Sequence, residues 1–415
     1  MKRSMTVCVG ESPLEVGTLV FETDGARQAV SFAYADSWLA SPGKFELSPD
    51  LPLGPGYQYR SNKDANQSAF FGCFADAEPD GWGRKVIQRD HAKQRREPGT
   101  DAKSTGLLTE FDYLLWVNDF SRVGALRFRD DKGVFHRPSG GKRETPALIS
   151  LPQLLAASKA VEENRETAWD LAFLRGNGTS LGGLRPKCSV LDDNGTLAIG
   201  KFPSVQDTRS VVHGEVLALK LARVAGIDAA NARVVDSRGV PVAVIERFDR
   251  SAGGRVPYLS ASSLLQAIPT DQRTYVDIAD AIRRHSSQAT TDLHELWRRM
   301  VFTILINNVD DHLKNHGFLH HAHGQWRLAP AFDINPFPDK ERALKTWISE
   351  DAGDAASMAA AVAVAPHFGF RQGAEAPVLE QVRTAVRAWK TLARGIGMAP
   401  RDIEVFEPAF QHPDL

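Results

Sequence analysis

Val309-Asp310-Asp311-His312-Leu313-Lys314-Asn315, followed after a short interval by Phe332-Asp333-Ile334-Asn335-Pro336, is the stretch that decides how this chain is read. An acid, an amide five residues on and a second acid beyond a short hairpin is the arrangement that orients a hydroxyl nucleophile and holds Mg²⁺ on a triphosphate. Mg²⁺ keeps waters and phosphate oxygens in its shell, so one carboxylate and one amide suffice from the protein. On this reading Asp310 is the base, and Asn315 and Asp333 bind the metal. The expectation is a phosphotransferase that uses ATP and Mg²⁺.

The flanking sequence fits that motif. Leu293, Leu296, Trp297, Met300, Val301, Ile304 and Leu305 recur at three- and four-residue steps and predict a helix that ends just before Asp310. Gly317-Phe318-Leu319-His320 and Trp326-Arg327-Leu328-Ala329 predict a hairpin turning at His323-Gly324, which returns the chain to Asp333. Asn315 and Asp333 then flank one hairpin and can meet at one ion. His312, His316, His320, His321 and His323 raise zinc as a competitor, but zinc needs three or four converging ligands, and adjacent His320 and His321 point to opposite faces of a strand. His312 and Lys314, between the acid and the amide, are assigned to the cofactor side, with His312 bracing the loop that carries Asp310.

Upstream, Arg175-Gly176-Asn177-Gly178-Thr179-Ser180-Leu181-Gly182-Gly183-Leu184-Arg185-Pro186-Lys187 is glycine-rich and precedes an apolar strand. Such a loop can bring backbone N–H groups against phosphates, which assigns Ser180, Leu181, Gly182 and Gly183 to the nucleotide. The loop is neither a Walker sequence nor GxGxxG, so its weight comes from its position. The strand Leu197 to Phe202 places Lys201 near its end, within reach of nucleotide phosphates. Glu215 follows in a helical pattern from Val212 to Val224 capped at Gly226, where a strand lysine and a helix glutamate can pair as they do in kinases. The bland reading of Glu215 is a solvated helix face. A hairpin around Arg238-Gly239 ends in Glu246-Arg247-Phe248-Asp249-Arg250, where kinase lobes join and where Glu246 and Phe248 offer backbone to adenine. The bland reading there is an exposed strand end.

Residues 1–105 have a different texture. Val16 to Phe21 and Ala29 to Tyr34 alternate around Asp24-Gly25 and predict a β-hairpin, and the aromatics of Phe70 to Phe74 read as core. A basic, glycine-rich break runs from Arg137 to Arg143. With 415 residues, 42% hydrophobic and 24% charged, the chain can bury a large core in two or three domains. Lys plus Arg number 50 against 51 Asp plus Glu, a net charge of -1, so no overall field draws it to nucleic acid or anionic lipid. Cys8, Cys73 and Cys188 lack metal spacing, and no apolar run suits a signal peptide or a membrane span, so a cytoplasmic location is expected.

Glycine loop, lysine strand, glutamate helix, Asp-x-x-x-x-Asn and metal aspartate are each weak alone and informative in this order. Ser180 to Lys187, Ile199-Gly200-Lys201-Phe202-Pro203, Glu246 to Arg250, Asp310 to Asn315 and Phe332 to Pro336 resemble the HipA family of serine/threonine kinase toxins. The likeness extends to Val16-Gly17-Thr18-Leu19, Leu47 to Leu53 and Pro79-Asp80-Gly81-Trp82-Gly83-Arg84, similar to the small domain that precedes the kinase core in that family. The resemblance implies an α+β, protein-kinase-like two-lobed fold: a β-rich N-terminal subdomain (1–105), an ATP-binding N-lobe (106–255) and a mostly α-helical C-terminal lobe (256–415).

It also implies a serine/threonine kinase that phosphorylates a translation component, typically an aminoacyl-tRNA synthetase, and halts growth. The implied partner is a HipB-like helix-turn-helix antitoxin, through which alone DNA is contacted. Residue by residue, Lys201 holds ATP phosphates, Asp310 is the base, Asn315 and Asp333 bind Mg²⁺, and Ser180 is the autophosphorylated loop serine. A phosphate on Ser180 would repel the nucleotide's own phosphates, with Arg175 or Arg185 trapping it outward. Two departures stand out: Leu184-Arg185 in the loop, which bears on autophosphorylation, and Asp311, expected to alter charge at the metal or substrate. Two other classes stay open: a related kinase acting on a small molecule or lipid, and a catalytically silent scaffold for an antitoxin.

Overall fold

Alternating apolar residues in Lys2–Val9 (β1), Leu14–Asp24 (β2) and Arg27–Tyr34 (β3) give each strand a face to bury, and in the computed structural model the three pair antiparallel. The structure describes residues 2–24, 27–60, 67–79, 81–96, 106–136, 145–177, 183–252 and 254–415. The loop residues Ser180, Leu181 and Gly182, the turn residue Gly25 and the break from Arg137 to Arg143 lie outside the described residues. Tyr57–Arg60 (β4) and Leu126–Arg129 (β5) complete a five-stranded sheet in the order β4-β3-β2-β1-β5. Its inner face is aromatic. Phe21 stacks on Phe111 at 5.1 Å between ring centres and on Phe70 at 6.1 Å, while Phe32 and Phe74 meet at 5.5 Å. The Phe70 to Phe74 cluster is therefore core.

The chain forms two compact units, Met1–Gln206 with Asp236–Leu259, and Asp207–Val235 with Ser260–Leu415. The first unit also holds Lys187–Leu191 (β6) and Leu197–Lys201 (β7). The chain runs through Ala232–Ser237 (β8) to Val240–Glu246 (β9), and the sheet order is β6-β7-β9-β8. Arg238 and Gly239 join β8 to β9 with φ of 55° and 83°; two successive left-handed residues match the twist of a tight hairpin.

Among the helices that accompany these sheets are Gly81–Gln94, Leu151–Glu162 and Ala168–Asn177. The second unit is mostly helical. Thr274 and Asp277 form a reciprocal capping box that starts Tyr275–His285, and the apolar stripe from Leu293 is buried along Ala289–Leu305. Val211–Val224 ends as expected. Gly226 takes φ 79°, and the Ile227 N–H reaches back to the Ala222 carbonyl at 2.9 Å, satisfying a helix-end acceptor.

The three cysteines are buried thiols. Among the described residues no helix is long and apolar enough to cross a membrane.

Candidate active site

In the second unit, the helix Ala289–Leu305 is buried along one side and stops where Asn307 adopts φ 54°. Asn307 then ties two segments together: its side-chain amide donates to the Phe337 carbonyl at 2.5 Å and the Lys340 carbonyl at 3.0 Å. Its own carbonyl accepts the Phe337 N–H at 3.1 Å. Beside it, Asn308 Oδ1 accepts the Asn335 N–H at 3.2 Å. These four bonds fix the residues just before Asp310 against those just after Asp333. Both asparagines are buried, and neither drew attention in the sequence, where the acidic pair beside them is the louder signal.

Asp310 follows, half-exposed and ion-paired with Lys345. The His312 carbonyl accepts the Asn315 N–H at 2.8 Å, closing a short helical turn over Leu313–Asn315. Asn315 is buried, and its side-chain amide donates to the Asp310 carbonyl at 3.3 Å. Lys314 points outward and is exposed. Asp333 lies half-buried with φ 55°, an uncommon backbone state for a residue with a side chain and one that gathers at functional sites. The hairpin Gly317–Ala322 and Gln325–Leu328 runs between Asn315 and Asp333, turning at His323 and Gly324.

Asp311 corrects an expectation. Rather than adding charge at a metal or substrate, it is buried and engaged: the Tyr275 hydroxyl donates to it, and His316 Nε2 lies 3.2 Å away. Burial pushes its carboxyl up, but His316, Tyr275 and His312 outweigh burial and hold it below the usual range. Tyr275, pushed up by burial and by Asp311, keeps its proton. His320 accepts the Gly324 N–H at 3.2 Å and meets Trp326 edge-on.

Glu215 is also in the second unit, buried within Val211–Val224, which overturns the solvated-face reading.

The first unit carries the remaining candidates. Lys201 closes β7, opposite Lys187 on β6 and Ala243 on β9. Lys187 is buried, and it lies close enough to Gly183 that a methyl group there would sit 2.7 Å from its ammonium. Lys187 and Lys201 thus sit side by side at the ends of β6 and β7, next to the root of the glycine loop.

Glu246 pairs with Ala198 across β7 and β9, three positions along β7 from Lys201 and on the opposite face of the sheet. Phe248 lies against Tyr258 at 6.5 Å. The segment between them is not an exposed strand end. Arg247 and Asp249 are buried, Arg247 donates to Asp249 at 2.8 Å and to the Ser121 carbonyl at 2.6 Å, and Asp249 accepts the Gly124 N–H at 2.7 Å. Burial pushes the Asp249 carboxyl up, yet the charges of Arg247 and Arg250 hold it far below the ordinary range.

The donor set in the second unit suits a hard cation. Asn315 turns its NH₂ toward the Asp310 carbonyl, which leaves the amide oxygen as its ligand atom, and Asp333 supplies a carboxylate. One amide and one carboxylate oxygen fit Mg²⁺ that completes its shell from water and phosphate, and do not form the nitrogen and sulfur cage that zinc prefers.

With this geometry in hand, the chain's relatives can be placed. Its fold is α+β and kinase-like. The model of the HipA-like C-terminal domain matches residues 179–389, and that of the HipA N-terminal domain matches residues 6–108. The chain belongs to the HipA family. A solved structure described as the Shewanella oneidensis MR-1 toxin–antitoxin system HipA, HipB and its operator DNA complex shares the fold at a TM-score of 0.66. That likeness has 16% identity and covers 98% of this chain and 96% of that one.

Among curated proteins, "Putative kinase Y4mE" of Sinorhizobium fredii is 28% identical over 147 residues, covering 33% of this chain and 33% of the relative. "Putative kinase Y4dM" of the same organism is 31% identical over 151 residues, covering 33% and 36%. A "Putative kinase" of Haemophilus influenzae is 24% identical over 187 residues, covering 39% and 54%. The chain thus spans about a third to a half of the length of the curated relatives it matches.

Proposed function

We propose that this chain is an ATP-dependent serine/threonine protein kinase acting as a HipA-like toxin in the cytoplasm. The observation that carries the reading is the stitched pair of segments in the second unit. Asn307 and Asn308 hold the loop after Asp333 against the turn that presents Asp310, and Asn315 is bonded to the Asp310 carbonyl. Such cross-tying fixes a base beside metal-binding oxygens before substrate arrives, which is where positioning contributes most to phosphoryl transfer.

In this mechanism Lys201 holds the phosphates of ATP, Glu215 is assigned to the nucleotide side, and Glu246 and Phe248 offer main-chain groups to adenine. The Asp310 carboxylate takes the proton of the acceptor hydroxyl as its oxygen bonds to the γ-phosphorus. The bond from that phosphorus to the β-γ bridging oxygen breaks, and ADP leaves. Mg²⁺ held by Asn315 and Asp333, when bound, would neutralise charge on the phosphates. The acceptor is a serine on a translation component such as an aminoacyl-tRNA synthetase, with Ser180 the site of self-modification.

A HipB-like helix-turn-helix antitoxin is the proposed partner and the route to DNA. Two things support it: the similar solved structure is described as a complex with HipB and operator DNA, and a net charge of -1 gives this chain no general attraction to nucleic acid of its own.

Transfer of label from γ-labelled ATP into protein of a cell extract, wild type against Asp310→Asn, tests the reading. A labelled band with wild type that is absent with the variant is expected. Equal labelling by both, or none by either, contradicts it.

A further inference from the structure

Lys345 is exposed, and its ammonium is ion-paired with the carboxylate of Asp310, the proposed base. Ion pairs open to water add little to stability and hold their long side chains loosely. Here the main chain on both sides of the pair is fixed. One residue on from each partner, the Thr346 N–H donates to the Asp311 carbonyl at 3.2 Å, so the two segments are bonded directly beside the pair. Leu344 and Thr346, which flank Lys345 in sequence, are both buried, and the Leu344 N–H donates to the Asp354 carbonyl at 2.7 Å.

Tyr275 joins the same two segments a second time. Its N–H donates to the Trp347 carbonyl at 2.8 Å, while its hydroxyl donates to the Asp311 carboxylate. The Trp347 N–H donates in turn to the Arg273 carbonyl at 3.2 Å. These bonds set the backbone of Lys345 against that of Asp310 and leave movement to the lysine side chain. So much structure around a pair that contributes little to stability points to a use for the charge itself.

That use follows from the reaction. The acceptor hydroxyl has to lie between the Asp310 carboxylate and the γ-phosphate, two anions that repel across it. A cation held beside both offsets the repulsion, and its attraction for the phosphoryl oxygens is greatest where charge develops on them during transfer. We propose that Lys345 is a catalytic residue, whose ammonium rests on Asp310 in the free protein and turns to the γ-phosphate oxygens once ATP is bound. This rests on the kinase reading above. Lys345 supplies charge and gives up no proton: the hydroxyl proton passes to Asp310 as the acceptor oxygen bonds to phosphorus and the bridging oxygen of ADP leaves.

The test compares wild type, Lys345→Met, Lys345→Arg and a control, Lys132→Met, which removes an exposed lysine from the first unit. Transfer of label from γ-labelled ATP into protein of a cell extract is timed at saturating ATP, and the dissociation constant of ATP with magnesium and the thermal midpoint are measured alongside. Lys345→Met is expected to transfer about 100-fold more slowly, with ATP affinity within about threefold of wild type and an unchanged midpoint. Lys345→Arg should recover most of that loss, and Lys132→Met should match wild type. On wild type alone, an amine-acylating reagent should modify Lys345 more slowly when the magnesium complex of a non-hydrolysable ATP analogue is bound, with Lys132 unaffected; this arm stands even where a variant fails to fold. Folded Lys345→Met that transfers as wild type does, Lys345→Arg no faster than Lys345→Met, or acylation of Lys345 unchanged by bound analogue overturns the role of Lys345 alone. Absence of transfer by wild type overturns the kinase reading, and this role with it.

Discussion

The side-chain amide of Asn315 donates to the main-chain carbonyl of Asp310 at 3.3 Å, so the proposed metal ligand and the proposed base hold one another in place. Asn315→Ala removes both a ligand and that tie. Phosphoryl transfer is expected to fall on the order of 100-fold, the cost of misplacing a reacting group by about 1 Å. Raising magnesium should restore only part of the loss, and a titration of rate against magnesium checks this.

Asp311 and Tyr275 make a second pair, 36 positions apart in the chain. Tyr275→Phe leaves the buried Asp311 carboxylate short of a donor and should lower stability by about 1–3 kcal/mol, read from denaturant midpoints. The pH dependence has a definite sign. Asp311 is held below its ordinary value, so its contribution is present above that value and lost as pH falls through the folded one. Asp311→Asn should be less stable at neutral pH and show a flatter acid limb.

Asp249 lies among Arg247 and Arg250, with distances of 2.5 Å and 2.8 Å to their guanidinium nitrogens. Removing one partner of a buried pair strands the others' charge. Asp249→Ala should cost about 3–5 kcal/mol of stability, seen as a lower thermal midpoint.

Glu78 offers a test of opposite sign. Burial pushes its carboxyl up to about 8, while Arg84 lies 3.2 Å away and is shared with Glu110. Between the ordinary carboxyl range and that value the folded chain holds a proton that the unfolded chain has released. Stability therefore falls as pH rises across this window, and Glu78→Gln should flatten the decline. Thermal midpoints between pH 5 and pH 8, compared for the two proteins, decide the matter.

Features encoded locally were legible. Arg238-Gly239 and His323-Gly324 turn their hairpins with the left-handed residues that such pairs favour. The apolar stripe from Leu293 to Leu305 delivered Asp310 just past a helix end. What sequence hid was burial and distant partnership. Asp311 looked like charge at the site because residue type says nothing of Tyr275 and His316 closing over it. Whether Glu215 was buried or solvated could not be read from the helix pattern alone, because a glutamate on an apolar helix carries no mark of which side it faces. Gly81 passed as part of a motif because its reason for being glycine is Gly183, about a hundred positions away.

Intact mass of the purified protein before and after incubation with magnesium and ATP, alongside Asp310→Asn and Ser180→Ala, tests the central claim most directly. One phosphate gained by wild type and by neither variant is the predicted result. Wild type that stays unmodified, or Asp310→Asn that gains the phosphate as readily as wild type, would contradict it.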